Sequence, residues 1–236
     1  MTISKVALVT GGNRGMGLET SRQLAALGYR VLLGSRDLQA GEQAAASIGS
    51  DNVEAVKLDV ISQSDIDALA RHVDDRYGRL DVLVNNAGIM IDGDDGHSAS
   101  ICDADIDRVE QTLRVNTLGP IMIINAMLPL MQRAEDVRII NISSGMGQLF
   151  DMGGNYPGYR ISKTALNAMT RIYAAELDPG KFHVNTLCPG WVRTDMGGSN
   201  ADLSLEEGVD TTIWLATADE ARVSGGYFRK RERIDW

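Results

Sequence analysis

A tyrosine and a lysine four residues apart, Tyr159 and Lys163, are the side chains in this sequence best suited to proton transfer. On a helix such residues share one face, so the lysine ammonium would lie close to the phenol. A nearby positive charge favours the phenolate, and lowering a tyrosine pKa from roughly 10 toward 7 requires about 4 kcal/mol. The pair would then serve as a general acid or base near neutral pH. The alternative is an ordinary amphipathic helix pair.

Two other tyrosines, Tyr156 and Tyr227, carry an arginine at the same spacing and compete for this assignment. A serine pair, Ser143 and Ser144, follows an apolar run that predicts a strand. A serine at the carboxyl end of a parallel strand can bind a substrate carbonyl and stabilise developing oxyanion charge. A helix-cap or turn serine is the alternative. Because the sequence has no Gly-x-Ser-x-Gly pattern, a hydrolase nucleophile is disfavoured.

A glycine-rich turn with the pattern TGxxxGxG spans residues 10–17, between a predicted strand and a predicted helix. Glycines let the backbone approach phosphates, and a helix N-terminus supplies free N–H groups and a positive dipole end. The spacing differs from GxGxxG. We interpret it as the pyrophosphate-binding turn of a dinucleotide site, with a plain tight turn as the alternative.

The residues after the second predicted strand bear on which dinucleotide binds. An NAD site places a carboxylate there for the ribose 2′-hydroxyl, whereas this chain has Ser35 and Arg36. Together with Arg14 in the glycine turn, Arg36 would form a guanidinium fork for a 2′-phosphate. This predicts NADPH/NADP+ as the cofactor. Two solvated surface arginines are the alternative, and an inward Asp37 would favour NADH.

Short apolar runs alternate with helical patterns along the chain. Seven strands are predicted at 5–10, 30–33, 52–58, 80–84, 137–142, 182–187 and 227–230. Helices are predicted at 18–27, 37–48, 62–77, 106–115, 118–132, 159–177 and 205–216, with an acidic loop at 89–102. This rhythm predicts one α/β domain over 1–236, a Rossmann-type doubly wound parallel sheet with helices on both faces. Asn85 and Asn86 would tie neighbouring strands together beside a ligand.

The composition of the 236-residue chain restricts the possible partners. A net charge of −9 argues against nucleic acid or an anionic membrane. Two cysteines suit a reducing cytosol, and three histidines without ligand spacing disfavour a zinc site. Residues 1–5 lead directly into an apolar run, leaving no room for a signal peptide, and no apolar run approaches the roughly 20 residues of a membrane span. We expect a cytoplasmic protein without a bound metal.

Taken together, these motifs resemble the short-chain dehydrogenase/reductase family over essentially the whole chain. They comprise TGGNRGMG at 10–17, Asp59, NNAG at 85–88, Asn116, Ser144, YxxxK at 159–163 and PGWVRT at 189–194. The runs TGGNRGMGL, LDVLVNNAGI, CPGWVRTDM and GGYFRKRERIDW are most similar to the carbonyl-reductase branch. Monomeric animal and plant carbonyl reductases carry a long insertion between the serine and the tyrosine, but here only fourteen residues intervene. Substrate specificity and the monomeric state therefore do not transfer.

The resemblance implies four catalytic residues. Tyr159 would donate the proton to the carbonyl oxygen, and Lys163 would lower its pKa and hold the nicotinamide ribose. Ser144 would orient the carbonyl, and Asn116 would sit at a helix distortion and hold a water in the proton relay. The cofactor carries the hydride chemistry.

The resemblance also implies a set of cofactor contacts. Asp59 would face the adenine amine, Asn86 would line the adenosine, and Val192 and Thr194 would contact the carboxamide. The full predicted set is Gly11, Asn13, Arg14, Gly15, Met16, Gly17, Ser35, Arg36, Asp59, Val60, Asn86, Ala87, Gly88, Tyr159, Lys163, Pro189, Gly190, Val192 and Thr194.

We therefore expect NADPH-dependent reduction of a ketone or aldehyde to an alcohol. An alcohol or sugar dehydrogenase using NAD(P)+ oxidatively is the alternative, and a non-catalytic NADPH-sensing module is a third. Loops at 145–157 and 191–204 would form the substrate wall and a mobile lid, with Phe150, Met152 and Trp191 making the site mostly apolar. Family members lacking the insertion usually associate through their long helices, here 118–132 and 159–177. This implies a homodimer or homotetramer.

Overall fold

The computed structural model describes residues 4–93 and 96–236, and within them the chain forms one eight-stranded sheet. Residues 1–3, and residues 94–95 of the predicted acidic loop, lie outside this description. The strands are β1 (Val6–Thr10), β2 (Arg30–Ser35), β3 (Val53–Lys57), β4 (Val82–Asn85), β5 (Val137–Ile142), β6 (Phe182–Leu187), β7 (Tyr227–Arg229) and β8 (Glu232–Arg233).

Helices cover both faces of the sheet. They are α1 (Gly15–Ala26), α2 (Leu38–Ile48), α3 (Gln63–Tyr77), α4 (Ile106–Leu113), α5 (Gly119–Met131), α6 (Pro157–Glu176) and α7 (Leu205–Thr217). A short 3₁₀ turn, Ile101–Asp103, ends the loop after β4, and another, Gly145–Gly147, follows β5.

The strand order is β3-β2-β1-β4-β5-β6-β7-β8, parallel except for the antiparallel β7–β8 pair. The predicted doubly wound fold is therefore confirmed. The eighth strand was not expected, because two residues are too short to show a periodic pattern. The strands β2 and β3 lie on one side of β1, whereas β4 and the later strands lie on its other side, so the strand order reverses between β1 and β4. In open α/β sheets, ligands bind outside the carboxyl ends of the strands at such a switch point.

The core lies in two layers that share β1. Leu8 faces the layer covered by α3, α5 and α6, whereas Ala7 and Val9 face the layer covered by α1 and α7. All three side chains are fully buried. Because both faces of a central parallel strand are covered, its sequence is a continuous apolar run rather than an alternating one.

The predicted helices at 106–115 and 118–132 form one continuous stretch in which α4 and α5 are joined by a π-helical segment, Arg114–Leu118. The whole stretch, Ile106–Met131, is by length and composition apolar enough to cross a membrane, so the expectation that no segment approaches span length is wrong. Ile123, Met127 and Met131 are nevertheless fully buried against the sheet. Core helices of globular domains share this character.

Candidate active site

Ser144, Tyr159 and Lys163 converge at the carboxyl end of β5. Ser144 is the second residue after that strand, and α6 carries the other two on one face of its first turns. The Ser144 hydroxyl lies near the Tyr159 hydroxyl and lowers its pKa. The Lys163 ammonium lies 5.6 Å from the centre of the Tyr159 ring and donates to the Ile142 carbonyl oxygen at 2.7 Å. The tyrosine and the lysine are both buried.

Burial dominates the protonation of this pair. It raises the pKa of Tyr159 to about 12, against the opposing hydrogen bond with Ser144, and it lowers the pKa of Lys163 to about 8. The expectation that Lys163 brings the tyrosine pKa toward 7 is therefore wrong for these side chains, because desolvation disfavours both charged forms. At neutral pH the phenol is protonated and can donate.

The competing tyrosines are excluded by their surroundings. Tyr156 precedes α6 in a left-handed conformation, and the Arg160 guanidinium is directed at the carbonyl oxygens of Gly154 and Asn155. Tyr227 begins β7, which ends at Arg229, and Arg231 lies in the turn beyond that strand and pairs with Asp210. Helical geometry therefore singles out Tyr159, as the sequence predicts.

Asn116 lies in the π-helical segment and joins β4 to α6. Its carboxamide oxygen accepts from the Ile89 N–H at 2.8 Å, and its amide nitrogen donates to the Ile89 carbonyl at 2.8 Å and to Ser162 Oγ at 3.0 Å. Ser162 Oγ in turn donates to the Tyr159 carbonyl oxygen at 2.7 Å. Both amide hydrogens are used on protein atoms, so the side chain supports the turn of α6 that carries the tyrosine.

Gly88 lies between the Asn116 side chain and Lys163. A Cβ placed on Gly88 would lie 3.3 Å from Asn116 Oδ1 and 3.5 Å from Lys163 Nζ. The end of β4 therefore borders the catalytic group directly. Asn85, the last residue of β4, donates to Asn141 Oδ1 at 2.8 Å, and Asn141 donates to Thr170 Oγ1 on α6 at 2.9 Å.

Asp92 is a functional residue that the sequence analysis missed. Its two carboxylate oxygens accept from the backbone N–H groups of Gly158 and Tyr159, each at 2.9 Å. Asp92 is buried, and α6 has no side-chain cap from Tyr156 at its own N-cap position. The loop after β4 therefore caps the helix that carries the tyrosine. No local signal shows this, because Asp92 and Tyr159 are 67 residues apart.

Arg160 fixes the predicted substrate wall. Besides the Gly154 and Asn155 carbonyls, its guanidinium donates to the Met146 carbonyl at 3.3 Å. Asn155 and Tyr156 both have positive φ, a strained conformation for non-glycine residues. Arg160, within α6, thus holds the turn that leads into the helix and also the Met146 backbone before it.

The glycine turn is built for close approach of backbone. Gly11 has φ of +62°, and a Cβ on Gly17 would lie 2.3 Å from the Gly11 carbonyl oxygen. Asn86 Nδ2 donates to the Thr10 and Gly11 carbonyls at 2.9 and 3.1 Å. The turn, the end of β4 and the first turn of α1 therefore form one packed unit, with Ala87 also in contact with Gly11.

The N-terminus of α1 is suited to an anion. Its N-cap residue, Arg14, makes no side-chain capping bond, and its first turn contains no acidic residue. By contrast, α2, α3, α4 and α7 begin with side chains that accept from first-turn N–H groups, namely Asp37, Ser62, Asp105 and Ser204. Free N–H groups beside a glycine turn at the switch point fit the pyrophosphate of a dinucleotide.

The residues predicted to distinguish the two dinucleotides occupy separate environments. Asp37 caps α2 by accepting from the Ala40 N–H at 3.2 Å, so its carboxylate is engaged there. Ser35 is buried and donates to the Asp37 carbonyl, while Arg36 is exposed. Arg14 pairs with Asp195 at 2.7 Å, and both side chains are about three-quarters exposed.

Asp59 and Val60 shape the loop after β3. Asp59 Oδ1 accepts from the Ile61 N–H at 3.1 Å, and the Asp59 N–H donates to Asp65 Oδ2 at 2.9 Å. Val60 is buried against Gly119 at the start of α5.

The segment 191–204 is folded back on itself rather than irregular. Val192 forms a parallel bridge with Leu203, and Trp191 Nε1 donates to the Gly197 carbonyl at 2.8 Å. A Cβ on Gly15 would lie 3.5 Å from the Thr194 methyl group, so this segment faces the glycine turn. Pro189 and Gly190 lead into it from β6.

An apolar cavity of about 420 Å³ lies on the outer side of α6. It is lined by Ile101, Leu149, Met152, Ile161 and Ala168, among others, but not by Ser144, Tyr159 or Lys163. Met152, expected to face the substrate, lies in this separate cavity. Phe150 and Trp191 are largely exposed.

Comparison with known proteins supports a single family. The family model of short chain dehydrogenases matches residues 5–203. The chain belongs to the short-chain dehydrogenase family. A (+)-neomenthol dehydrogenase of Arabidopsis thaliana is 30% identical over 98% of this chain and 97% of the relative. Carbonyl reductase [NADPH] 1 of Sus scrofa is 29% identical over 99% of this chain and 94% of the relative.

Solved structures agree with this family. The NADPH-bound carbonyl reductase from chicken fatty liver superposes with a TM-score of 0.88 at 29% identity, covering 99% of both chains. Members of the short-chain dehydrogenase family are oxidoreductases, and the NADPH-bound neighbour supports a nicotinamide cofactor. The glycine turn, the N-terminus of α1 and the Tyr159–Lys163 pair are the parts of this chain that fit such a cofactor.

The cap that Asp92 provides for α6 allows a first test of this short-chain dehydrogenase site. Asp92→Ala leaves two first-turn N–H groups of α6 without their acceptor, and losing a cap costs about 1 kcal/mol. We expect kcat to fall about tenfold, since small displacements of a reacting group are costly. The dissociation constant of the nicotinamide cofactor, measured by fluorescence, should stay within about twofold.

Asp105→Ala is the matched control, because Asp105 caps α4 with the same chemistry. It should lower thermal stability similarly and leave kcat within about twofold. Asp92→Asn, which retains one acceptor oxygen, should be intermediate. Equal losses of kcat in Asp92→Ala and Asp105→Ala would show that Asp92 matters only for stability.

Proposed function

We propose that this protein reduces a ketone or aldehyde to an alcohol with NADPH. The observation that carries the proposal is the buried, protonated Tyr159 hydroxyl, with Ser144 and Lys163 beside it. A neutral phenol is the form required of a proton donor to a carbonyl oxygen. The carbonyl reductases among the relatives support the same reaction class.

The chain's own residues position and polarise the carbonyl. The Ser144 and Tyr159 hydroxyls both donate to the carbonyl oxygen and stabilise the charge that develops on it. A nicotinamide cofactor held by the glycine turn and the N-terminus of α1 would supply the hydride that the carbonyl carbon accepts. Tyr159 transfers its proton to the oxygen, which completes the alcohol and leaves a phenolate. The Lys163 ammonium, 5.6 Å from the ring centre, stabilises that phenolate until solvent returns the proton.

The pKa of Tyr159 favours reduction over the oxidative alternative. An alcohol dehydrogenase needs the phenolate as general base, and a pKa of about 12 leaves little phenolate at neutral pH. A non-catalytic NADPH-sensing module is disfavoured because Ser144, Tyr159 and Lys163 are brought together with buried supports. Single-turnover oxidation of bound NADPH by a panel of aldehydes, diketones, quinones and steroids separates the three functions.

The proton donor is tested by Tyr159→Phe. Loss of the hydroxyl should abolish measurable turnover, because general acid catalysis contributes roughly 10²–10⁴-fold and the oxyanion contact is lost as well. NADPH affinity, measured by fluorescence titration, should remain within a few-fold of the unmodified protein. This combination would locate the defect in chemistry rather than in cofactor binding.

Tyr156→Phe is the matched control, since the two tyrosines are three residues apart and Tyr156 is exposed at the start of α6. It should retain substantial activity. An inactive Tyr156→Phe beside an active Tyr159→Phe would reverse the assignment.

We also propose that Arg36 and Arg14 select NADPH over NADH. The position directly after β2 is Arg36, and the carboxylate of the next residue, Asp37, caps α2 by accepting from the Ala40 N–H. Charge-assisted hydrogen bonds contribute roughly 1.5–3 kcal/mol each. The expected preference is therefore about ten- to several-hundred-fold in kcat/KM. Equal efficiency with both cofactors would contradict this proposal.

Two substitutions test the contribution of Arg36. Arg36→Ala should lose most of the preference by weakening NADPH, with NADH little changed. Ser35→Asp should shift further toward NADH, because it adds both repulsion and a ribose acceptor. Arg30→Ala is the matched control: Arg30 lies at the opposite end of β2 and donates to the Asp51 carbonyl. It should leave the preference unaltered.

We further propose association into a homodimer or homotetramer through α5 and α6. The outer face of α6 exposes Ile161 and Ile172, and the apolar cavity borders Ala168 on the same helix. Light scattering should give at least twice the 25.5 kDa chain mass at micromolar protein, and Ala168→Glu should reduce it. A mass of one chain for the unmodified protein would refute the proposal.

A further inference from the structure

The turn that carries Ser144 contacts the last strands of the sheet as well as α6. Tyr227, at the start of β7, donates its hydroxyl to the Ser144 carbonyl oxygen at 2.7 Å. Its side chain is fully buried. Because Ser144 is followed by a short 3₁₀ turn rather than a long helix, its orientation depends on such contacts.

A second contact from β7 holds the next residue. The Gly145 N–H donates to Cys188 Sγ at 3.0 Å, and Arg229 donates to the same sulfur at 2.9 Å. A Cβ on Gly145 would lie 2.5 Å from the Arg229 guanidinium, so no side chain separates the two. The backbone on both sides of the Ser144–Gly145 peptide bond is thus anchored to β6 and β7.

Residues 235–236 extend this support to the predicted substrate wall. The Trp236 ring lies 5.4 Å from the Tyr227 ring and 5.3 Å from the Arg171 guanidinium. Its carbonyl oxygen accepts from the Phe150 N–H at 3.0 Å, and the Asp235 carbonyl accepts from Gln148 Nε2 at 2.8 Å. Tyr227 is therefore packed between the serine turn and the segment that fixes residues 148–150.

We propose that Tyr227 is a positioning residue for Ser144, and that Trp236 supports Tyr227 while fixing the wall at 148–150. The kinetic part of this inference rests on the proposed carbonyl reduction. Tyr227 itself does not reach the reacting atoms, because its hydroxyl is used on the far side of the serine, at the backbone carbonyl.

Tyr227→Phe tests the inference, since it removes one hydroxyl and keeps the buried ring. We expect kcat for carbonyl reduction to fall about tenfold, with the NADPH dissociation constant within about twofold. Tyr173→Phe is the matched control. The Tyr173 hydroxyl also makes one hydrogen bond, to Asn125 Oδ1 at 2.7 Å, near the other end of α6. Its kcat should stay within about twofold.

A double-mutant cycle distinguishes positioning from general stability. In a Ser144→Ala background, Tyr227→Phe should change kcat by less than about twofold, because the hydroxyl that it positions is gone. An equal loss in both backgrounds would overturn the proposal. Trp236→Ala should likewise lower kcat in the unmodified background and change the ratio of kcat/KM between bulky and small carbonyl substrates.

Hydrogen exchange provides a readout that does not need activity. Tyr227→Phe and Trp236→Ala should both accelerate amide exchange at residues 145–150, whereas Tyr173→Phe should not. If the unmodified protein reduces no carbonyl but Tyr227→Phe accelerates exchange at residues 145–150, the proposed function is refuted. The conclusion that Tyr227 holds the Ser144 turn would then still stand. Unchanged exchange together with unchanged kcat would refute the positioning role.

Discussion

The start of helix α6 is the constraint on which this site depends, because its first turn carries Tyr159 but receives no cap from its own sequence. Tyr156, at the N-cap position, is left-handed and makes no side-chain capping bond. Asp92 supplies both missing acceptors from the loop after β4, and Asn116 holds the next turn through Ser162. The tyrosine is therefore positioned by two segments that precede it by more than forty residues.

Burial of the same turn sets its chemistry. Desolvation disfavours the charged forms of both Tyr159 and Lys163, so it raises the pKa of the phenol to about 12 and lowers that of the ammonium to about 8. A buried phenolate thus forms only where groups around it compensate the charge. The Ser144 hydroxyl opposes desolvation by lowering the pKa of the phenol, and β7 holds the backbone of that serine. Positioning and electrostatics consequently depend on the same few buried contacts.

Local sequence patterns predict the parts of this protein that are decided locally. The apolar run of β1, the Asp37 cap of α2 and the four-residue spacing of Tyr159 and Lys163 are each visible in a short window. Asp92 and Tyr227 are not, because their partners lie 67 and 83 residues away. The pKa of Tyr159 escapes prediction for a related reason: a spacing shows the neighbouring charge but not the water that folding removes.

The two halves of the site are held with different strengths. The catalytic half is anchored by buried hydrogen bonds to Asp92, Ser162 and Tyr227, and leaving such groups unpaired costs roughly 1–3 kcal/mol each. The segment 191–204 faces the glycine turn and is joined to that turn by the ion pair between Arg14 and Asp195. This pair is exposed and contributes about 0–1 kcal/mol. Gly15 and Thr194 face each other there, beside the N-terminus of α1. The weak contact lies beside the glycine turn, and the strong contacts lie around Tyr159 and Ser144.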